Sequence, residues 1–486
     1  MLKPKRFALD VGITFTANGS KMLLGFIITV VLGKYLGADG LGLYRITLTI
    51  YGITMLFASI GIPSAIVKYI AEFKDNKDKL NKVVSSGIIT SLFLGIGFST
   101  LLFFISGIFA NIFKMPELPV LVKTLSPIFP FALVCNTLLG FLNGLREMKK
   151  YAIVIIIQSI LMVIVTSILV YCNFGSLGAV IAIVVSSIGG CFFSIIFSVS
   201  HFKMQFANFI PTVKKMLRFG SQVFGAGAIN EINNRLDVIL IGIFLKLSDV
   251  GYYAAAVSLS RFFWLIPLSV QKITYPATSE YWSKKNYDAL NTMINKVMKY
   301  CTIILVLIGL GIFFFSVDIF TFLFKKDFAC SVLPLHILLI GTVIRGSIAQ
   351  PIGGTLSAIG RPDLSLKIST LMFIINILLD VVLIPIIGIR GAALATTISL
   401  SGGAFVNLAL IIKKLSIKIN IGWYIKIFTL VLISMVLFNF GIHFMNPYLL
   451  GCIILICYSV FVSGFLLTKE DKSMFKLLTY LLIPRK

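Results

Sequence analysis

Of the ionisable side chains inside long apolar runs of this sequence, seven are singled out by depth: Lys21, Arg235, Arg261 and Arg345 are basic, and Glu231, Asp237 and Asp380 are acidic. A charge near the centre of a bilayer costs ~2.5–3.5 kcal/mol on insertion scales, so each needs a partner, a wetted cavity or a ligand. Glu231 and Arg235 are spaced i, i+4 with the acid N-terminal, which allows an ion pair within one helix. Lys21 could meet Asp237 across a cleft. Arg261 and Arg345 have no carboxylate within four residues, which points to a cavity or a ligand for them. Two forked guanidiniums and an ammonium around one cavity suit phosphate oxygens, since Arg binds them bidentately and Lys acts as a compact point charge. Asn18, Asn230, Asn233, Asn234 and Gln271 add amides to the same region. The candidate binding set is therefore Lys21, Arg235, Arg261, Arg345, Asn18 and Asn234, and Glu231 and Asp237 are candidates for coupling to an ion.

The elements that must carry these residues are transmembrane helices. Of 486 residues 58% are hydrophobic and 13% charged, the mean hydropathy is +1.01, and a water-soluble core could not hide so much apolar surface. Apolar runs of about 20 residues, the length that crosses a hydrocarbon layer roughly 30 Å thick, follow one another along the chain. They lie near 10–33, 44–67, 83–108, 119–142, 151–172, 177–200, 219–245, 250–271, 300–323, 331–357, 364–385, 391–412, 423–443 and 448–467, a count of fourteen. With the N-terminus inside, alternate loops collect 31 Lys and Arg on the cytoplasmic side, from Lys3, Lys5 and Arg6 to Lys469, Lys472, Lys476, Arg485 and Lys486. The external segments hold only eight, Arg45 among them. That asymmetry predicts a multi-pass membrane protein with an even number of spans and both termini in the cytoplasm. It also accounts for the net charge of +25 without nucleic acid. The first run is too long for a signal-peptide core and reads as the first transmembrane helix.

The chain partly repeats itself. At an offset of 213 Gly175 matches Gly388, Gly178 matches Gly391, Ala179 matches Ala392 and Ser186 matches Ser399; at 209 Gly33, Gly42 and Tyr44 match Gly242, Gly251 and Tyr253. The expected fold is all-α, with two six-helix bundles (1–205 and 206–415) related by an axis along the membrane normal. Two further helices and a cytoplasmic tail follow (416–486). Two such bundles enclose a cleft that can open to either side. Pro63, Pro127, Pro130, Pro267, Pro351 and Pro385 fall inside spans, where each can kink a helix. The seven cysteines form no CxxC and read as small apolar residues, while the three histidines are too scattered for a metal site. No cofactor is implied.

The run from Asn234 to Gly242, NRLDVILIG, followed by Val250-Gly251-Tyr252-Tyr253-Ala254-Ala255-Ala256, resembles the span seven to eight signature of polysaccharide flippases in the MATE-like MOP superfamily. Leu32-Gly33, Gly37 to Tyr44 and Leu142-Asn143-Gly144-Leu145-Arg146 are similar to that family as well, as are the length and the 6+6+2 layout. The resemblance implies a carrier that moves undecaprenyl-diphosphate-linked oligosaccharide to the outer leaflet for O-antigen, capsule or exopolysaccharide assembly. Its partners would be that substrate, membrane lipids, H+ or Na+, and polysaccharide assembly proteins. Two other carriers remain open: a cation-coupled MATE-type multidrug exporter, and a flippase for a peptidoglycan-precursor lipid. An enzyme of the same pathway is disfavoured by short external loops, and no P-loop supplies energy.

Overall fold

The computed structural model describes residues 4–468 and Asp471, with side chains from Gly12 onward except that of Ala226. Lys3, Lys469, Lys472, Lys476, Arg485 and Lys486 lie outside the described residues, as do the Lys5 and Arg6 side chains. A backbone surrounded by lipid must pair every N–H and C=O within its own segment, and the described residues accordingly form helices and turns with no strand. In chain order the helices are α1 (Pro4–Ser59), α2 (Ile62–Glu72), α3 (Lys77–Phe113), α4 (Leu118–Leu125), α5 (Ile128–Leu145), α6 (Met148–Tyr171), α7 (Gly175–Val199), α8 (Phe209–Phe244) and α9 (Leu247–Arg261). They continue as α10 (Leu265–Ser283), α11 (Tyr287–Phe314), α12 (Ser316–Leu323), α13 (Val332–Ile344), α14 (Thr355–Ala358), α15 (Pro362–Ile387), α16 (Ile389–Leu415), α17 (Ile421–Gly441) and α18 (Pro447–Phe461). Asparagines punctuate the polar breaks: the side chains of Asn76, Asn286, Asn420 and Asn446 cap α3, α11, α17 and α18 by accepting from backbone N–H groups of the first turn.

Twelve helical segments among the described residues are long and apolar enough to cross a membrane. They differ from the expected spans in two places. Gly12–Ser59 is one segment of 48 residues, ~72 Å long at 1.5 Å per residue, more than twice the hydrocarbon thickness. It is broken at Gly37, whose φ of 73° and ψ of −168° belong to a region open only to glycine. The 36-residue α8 carries Lys214, Lys215, Arg218, Glu231, Arg235 and Asp237 together with Gln222, Asn230, Asn233 and Asn234, and this polar helix is not among the twelve.

The chain forms two compact units. The first comprises 1–262, 321–338 and 366–399, and the second 263–320, 339–365 and 400–486. In the first unit, α2, α3, α5 and α8 close on Ile62, Ile66, Ile70, Leu80, Val84, Phe141 and Met216, and Ala17 of α1 packs with Val134, Leu138, Ala152, Val154 and Cys191. Glycines set the closest helix contacts. A Cβ on Gly42 would stand 2.2 Å from the Leu247 carbonyl oxygen, and one on Gly251 would stand 2.0 Å from that of Ala38. These two residues, 209 apart in sequence, thus abut each other where α1 passes α9. Gly33 faces Phe324, and its counterpart Gly242 faces Ile46 and Phe113. In the second unit Val306, Leu310 and Phe314 of α11 pack with Ile427 of α17 and Ile454 and Tyr458 of α18.

Most of the prolines end up where a missing N–H is harmless. Pro63 is in the first turn of α2, Pro127 is the N-cap of α5 with Pro130 in its first turn, and Pro267 opens α10. Pro351 lies in the turn before α14. Pro385 is inside α15. The first helical turn has no intrahelical acceptor for those N–H groups, so these residues mark breaks more than kinks.

Candidate functional site

Within the first unit, the second half of α1 brings Arg45 to the same cavity as Lys21 of its first half and Arg261 at the end of α9. The cavity measures about 400 Å³, and Tyr44, Tyr51, Gln158, Ser159, Ser186, Ser187 and Ser258 are its polar wall. Among the described residues no carboxylate lines it. Three cations without an acid among the lining residues give it a formal charge of +3, which favours an anion carrying several oxygens. Arg261 Nη1 also approaches Asn234 Oδ1 at 3.5 Å, the long end of hydrogen-bonding range. Asn18 is exposed three residues before Lys21 on α1, a spacing that sets both on one helix face.

Arg235 lies beside this cavity and is held differently. Its Nη2 is 2.6 Å from Glu231 Oε1, Nε donates to the same oxygen at 2.7 Å, and Nη1 donates to the Leu48 carbonyl at 3.3 Å. The i, i+4 pair therefore forms. Gly52 makes room for it, because a Cβ there would stand 2.1 Å from the guanidinium carbon. Glu231 and Arg235 line a second cavity of about 580 Å³ with Tyr51, Asn136, Asn143 and Tyr151.

Asp237 is turned away from Lys21 and into the protein. It is 4% exposed and accepts from Tyr253 Oη at 2.6 Å, Thr396 Oγ1 at 2.7 Å and Asn376 Nδ2 at 3.1 Å. The same Asn376 amide donates to Asp380 Oδ2 at 2.8 Å, and Asp380 is fully buried with its Oδ1 unbonded. α8, α9, α15 and α16 thus converge on two carboxyls whose hydrogen-bond partners among the described residues include no Lys or Arg. Two buried negative charges would be too costly without compensation, so this cluster has the chemistry to hold a proton or a small cation. Among the described residues no group of three or more His, Cys, Asp or Glu is arranged to hold a metal. The donor set here is instead two carboxyls, an amide and two hydroxyls.

Arg345 belongs to the second unit. It opens a π-helical turn, Arg345–Ala349, and its guanidinium carbon lies 5.7 Å from the centroid of the Trp264 ring, a cation–π arrangement. The Trp264 indole N–H donates to the Thr342 carbonyl at 3.2 Å. In that unit Gln271 accepts from Gln350 Nε2 at 2.8 Å.

Sequence reasoning missed Arg45, Asn376 and Thr396. Arg45 is counted with the external segments when Gly37 to Tyr44 is taken as a loop. Helix resumes directly after Gly37, which carries residue 45 ~12 Å further along the axis at 1.5 Å per residue. Asn376 is a lone amide in an apolar span, and its partner Asp237 is 139 residues away.

Solved structures of other membrane proteins share this all-helical fold. The fold matches a lipid II flippase, MurJ, in an inward closed conformation with a TM-score of 0.75 at 21% identity over 94% of this chain and 100% of that one. It matches an inward-facing multidrug resistance MATE family transporter of the MOP superfamily with a TM-score of 0.69 at 16% identity, over 82% and 94% of the two chains. The chain belongs to the polysaccharide biosynthesis protein family, which it matches over residues 7–282, and residues 228–382 also match MatE. A probable low-salt glycan biosynthesis flippase of Haloferax volcanii, Agl15, is 30% identical over 191 residues, which is 39% of this chain and 40% of that protein's length.

Proposed function

We propose that this protein moves an undecaprenyl-diphosphate-linked oligosaccharide from the cytoplasmic to the outer leaflet of the bacterial cytoplasmic membrane, for assembly of a surface polysaccharide. The observation that carries the reading is the cavity lined by Lys21, Arg45 and Arg261 and by no carboxylate. A diphosphate needs that charge and those forked donors. An organic cation, the cargo of a multidrug exporter, would be repelled by it. Membership of the polysaccharide biosynthesis family supports the same substrate class. A peptidoglycan-precursor lipid has the same diphosphate, and the fold likeness to a lipid II flippase keeps it as the second reading; the sugar decides between them.

On this reading the 48-residue segment broken at Gly37 crosses twice and α8 crosses once, which restores fourteen spans with both termini in the cytoplasm. The abutting Gly42 and Gly251 support two halves related by a pseudo-two-fold axis, and rocking of the halves would expose the cavity to each side in turn. The cluster of Asp237, Asn376, Asp380, Thr396 and Tyr253 would bind the H+ or Na+ that drives the cycle. Glu231, paired with Arg235, serves the cavity wall instead.

The test is translocation by the full chain in proteoliposomes. Lipid-linked oligosaccharide starts in one leaflet, and its arrival in the other is read by a glycosidase added outside. Transport of this lipid but not of a cationic dye is expected. Dye transport with no movement of the lipid overturns the proposal.

A further inference from the structure

We infer that the 580 Å³ cavity is a carbohydrate subsite, which receives the sugar next to the diphosphate while Lys21, Arg45 and Arg261 hold the phosphates; the inference rests on the lipid-linked glycan reading above. Continuity is the first argument. Tyr51 lines both cavities, and Leu48, a wall of the cationic one, accepts through its carbonyl from Arg235, a wall of the other. A ligand anchored by its phosphates in the first has the second beside it.

Charge is the second argument. Among the described residues lining the larger cavity, Glu231 is the one carboxylate and Arg235 the one cation, and they neutralise each other in a 2.6 Å pair. The two cavities therefore divide a ligand by charge: the smaller is strongly positive, the larger is polar and neutral. Sugars next to a diphosphate have that same division.

The third argument is the arrangement of donors. Asn136, Gly140 and Asn143 of α5 all line the cavity, and their i, i+4, i+7 spacing sets them in one stripe along the helix. Gly140 lies close under Pro63, whose carbonyl oxygen would be 2.8 Å from a Cβ, so the wall between the two amides is low. An asparagine amide both donates and accepts, which matches a hydroxyl that does the same. Tyr51 and Tyr151 complete the wall. A phenol ring offers an apolar face to the C–H side of a sugar and a hydroxyl at its edge.

The experiment compares two probes on the full chain in nanodiscs: undecaprenyl diphosphate, and the same lipid bearing one hexosamine. Wild type should bind the sugar-bearing lipid more tightly. The double variant Asn136→Leu/Asn143→Leu should lose roughly tenfold for that lipid, the scale of two net hydrogen bonds, and bind the sugar-free lipid as wild type does. Tyr151→Leu gives an independent reading of the same cavity if the double variant does not fold. Equal wild-type affinity for the two lipids overturns the subsite, as does a folded variant that weakens both equally. Failure of wild type to bind either lipid overturns the lipid-linked reading as well, so the two failures are distinct.

Discussion

Replacing Arg45 with Gln removes one of three cations from a cavity that has no acid in its lining, so the loss cannot be absorbed by an unmasked carboxylate there. A hydrogen bond to a charged group nets ~1.5–3 kcal/mol. At ~1.4 kcal/mol per factor of ten that predicts a diphosphate lipid bound roughly 10- to 150-fold more weakly. The bare Coulomb term for two unit charges 4 Å apart is ~4 kcal/mol at an effective dielectric of 20, and Arg45 is only partly buried, so the lower figures hold in a wetted cavity. Arg45→Lys keeps the charge and loses the fork, and its effect should be smaller. The assay is competition binding of undecaprenyl diphosphate to the full chain in nanodiscs at two ionic strengths. Lys34→Gln, which removes an equal charge from an exposed position, is the control. A folded Arg45→Gln protein with wild-type affinity, or a Lys34→Gln protein weakened as much, would refute the reasoning, because then the cavity charge is not what the lipid feels.

Three further outcomes follow from the same geometry. Asp237→Asn and Asp380→Asn should each abolish the dependence of transport on an imposed H+ or Na+ gradient while lipid binding persists; full gradient dependence in both would show that the buried cluster does not couple. Gly37→Ala should lower stability by ~1–3 kcal/mol, the cost of forcing a Cβ into a glycine-only conformation, and a thermal-unfolding midpoint equal to wild type would contradict the φ of 73°. Burial pushes the Asp471 carboxyl up, but hydrogen bonds from Lys299, Tyr300 and Thr468 outweigh it and hold that group well below the usual carboxylate range. Because the folded value is depressed, its stabilisation is present above the unfolded value, ~pH 4, and lost as pH falls further; Asp471→Asn should therefore lower the unfolding midpoint at pH 7 by a margin that shrinks below ~pH 4.

Helix positions were legible because the bilayer leaves the backbone one option and the apolar runs had the length of a crossing. The breaks were less so. Gly37 and the residues after it looked like a loop of small residues, Gly37-Ala38-Asp39-Gly40, yet one glycine absorbs the whole change of direction and the rest is helix. The prolines misled in the same way. Pro63, Pro127 and Pro267 looked like kinks inside spans, but each begins a helix after a short interruption, a distinction that depends on where the preceding turn stops. The glycine pairs were legible as a repeat and illegible as contacts: nothing in an offset of 209 says that Gly42 and Gly251 touch.

Depth told which charges had to be satisfied, and it was silent on how. Four solutions occur in this chain, with different sequence signatures. Glu231 and Arg235 solve the problem locally, and an i, i+4 spacing is readable from five consecutive residues. Asp237 and Asp380 meet neutral donors drawn from Tyr253, Asn376 and Thr396; Asn376 stands four residues before Asp380 on α15, but the partners of Asp237 are unexceptional residues on three other helices, so no local pattern marks that set. Lys21 and Arg261 share a cavity with Arg45, and Arg345 lies over an aromatic ring, though all three sequence-flagged cations looked alike by depth and by their lack of a nearby acid. The separating information is the composition of the wall around each charge. A cation beside carboxylates is structural, one beside a tryptophan is shielded by a π face, and several cations lining one cavity favour an anion there. Among the described residues that arrangement is found at the cavity of Lys21, Arg45 and Arg261, which is why the proposed diphosphate is assigned there ahead of Arg235 or Arg345.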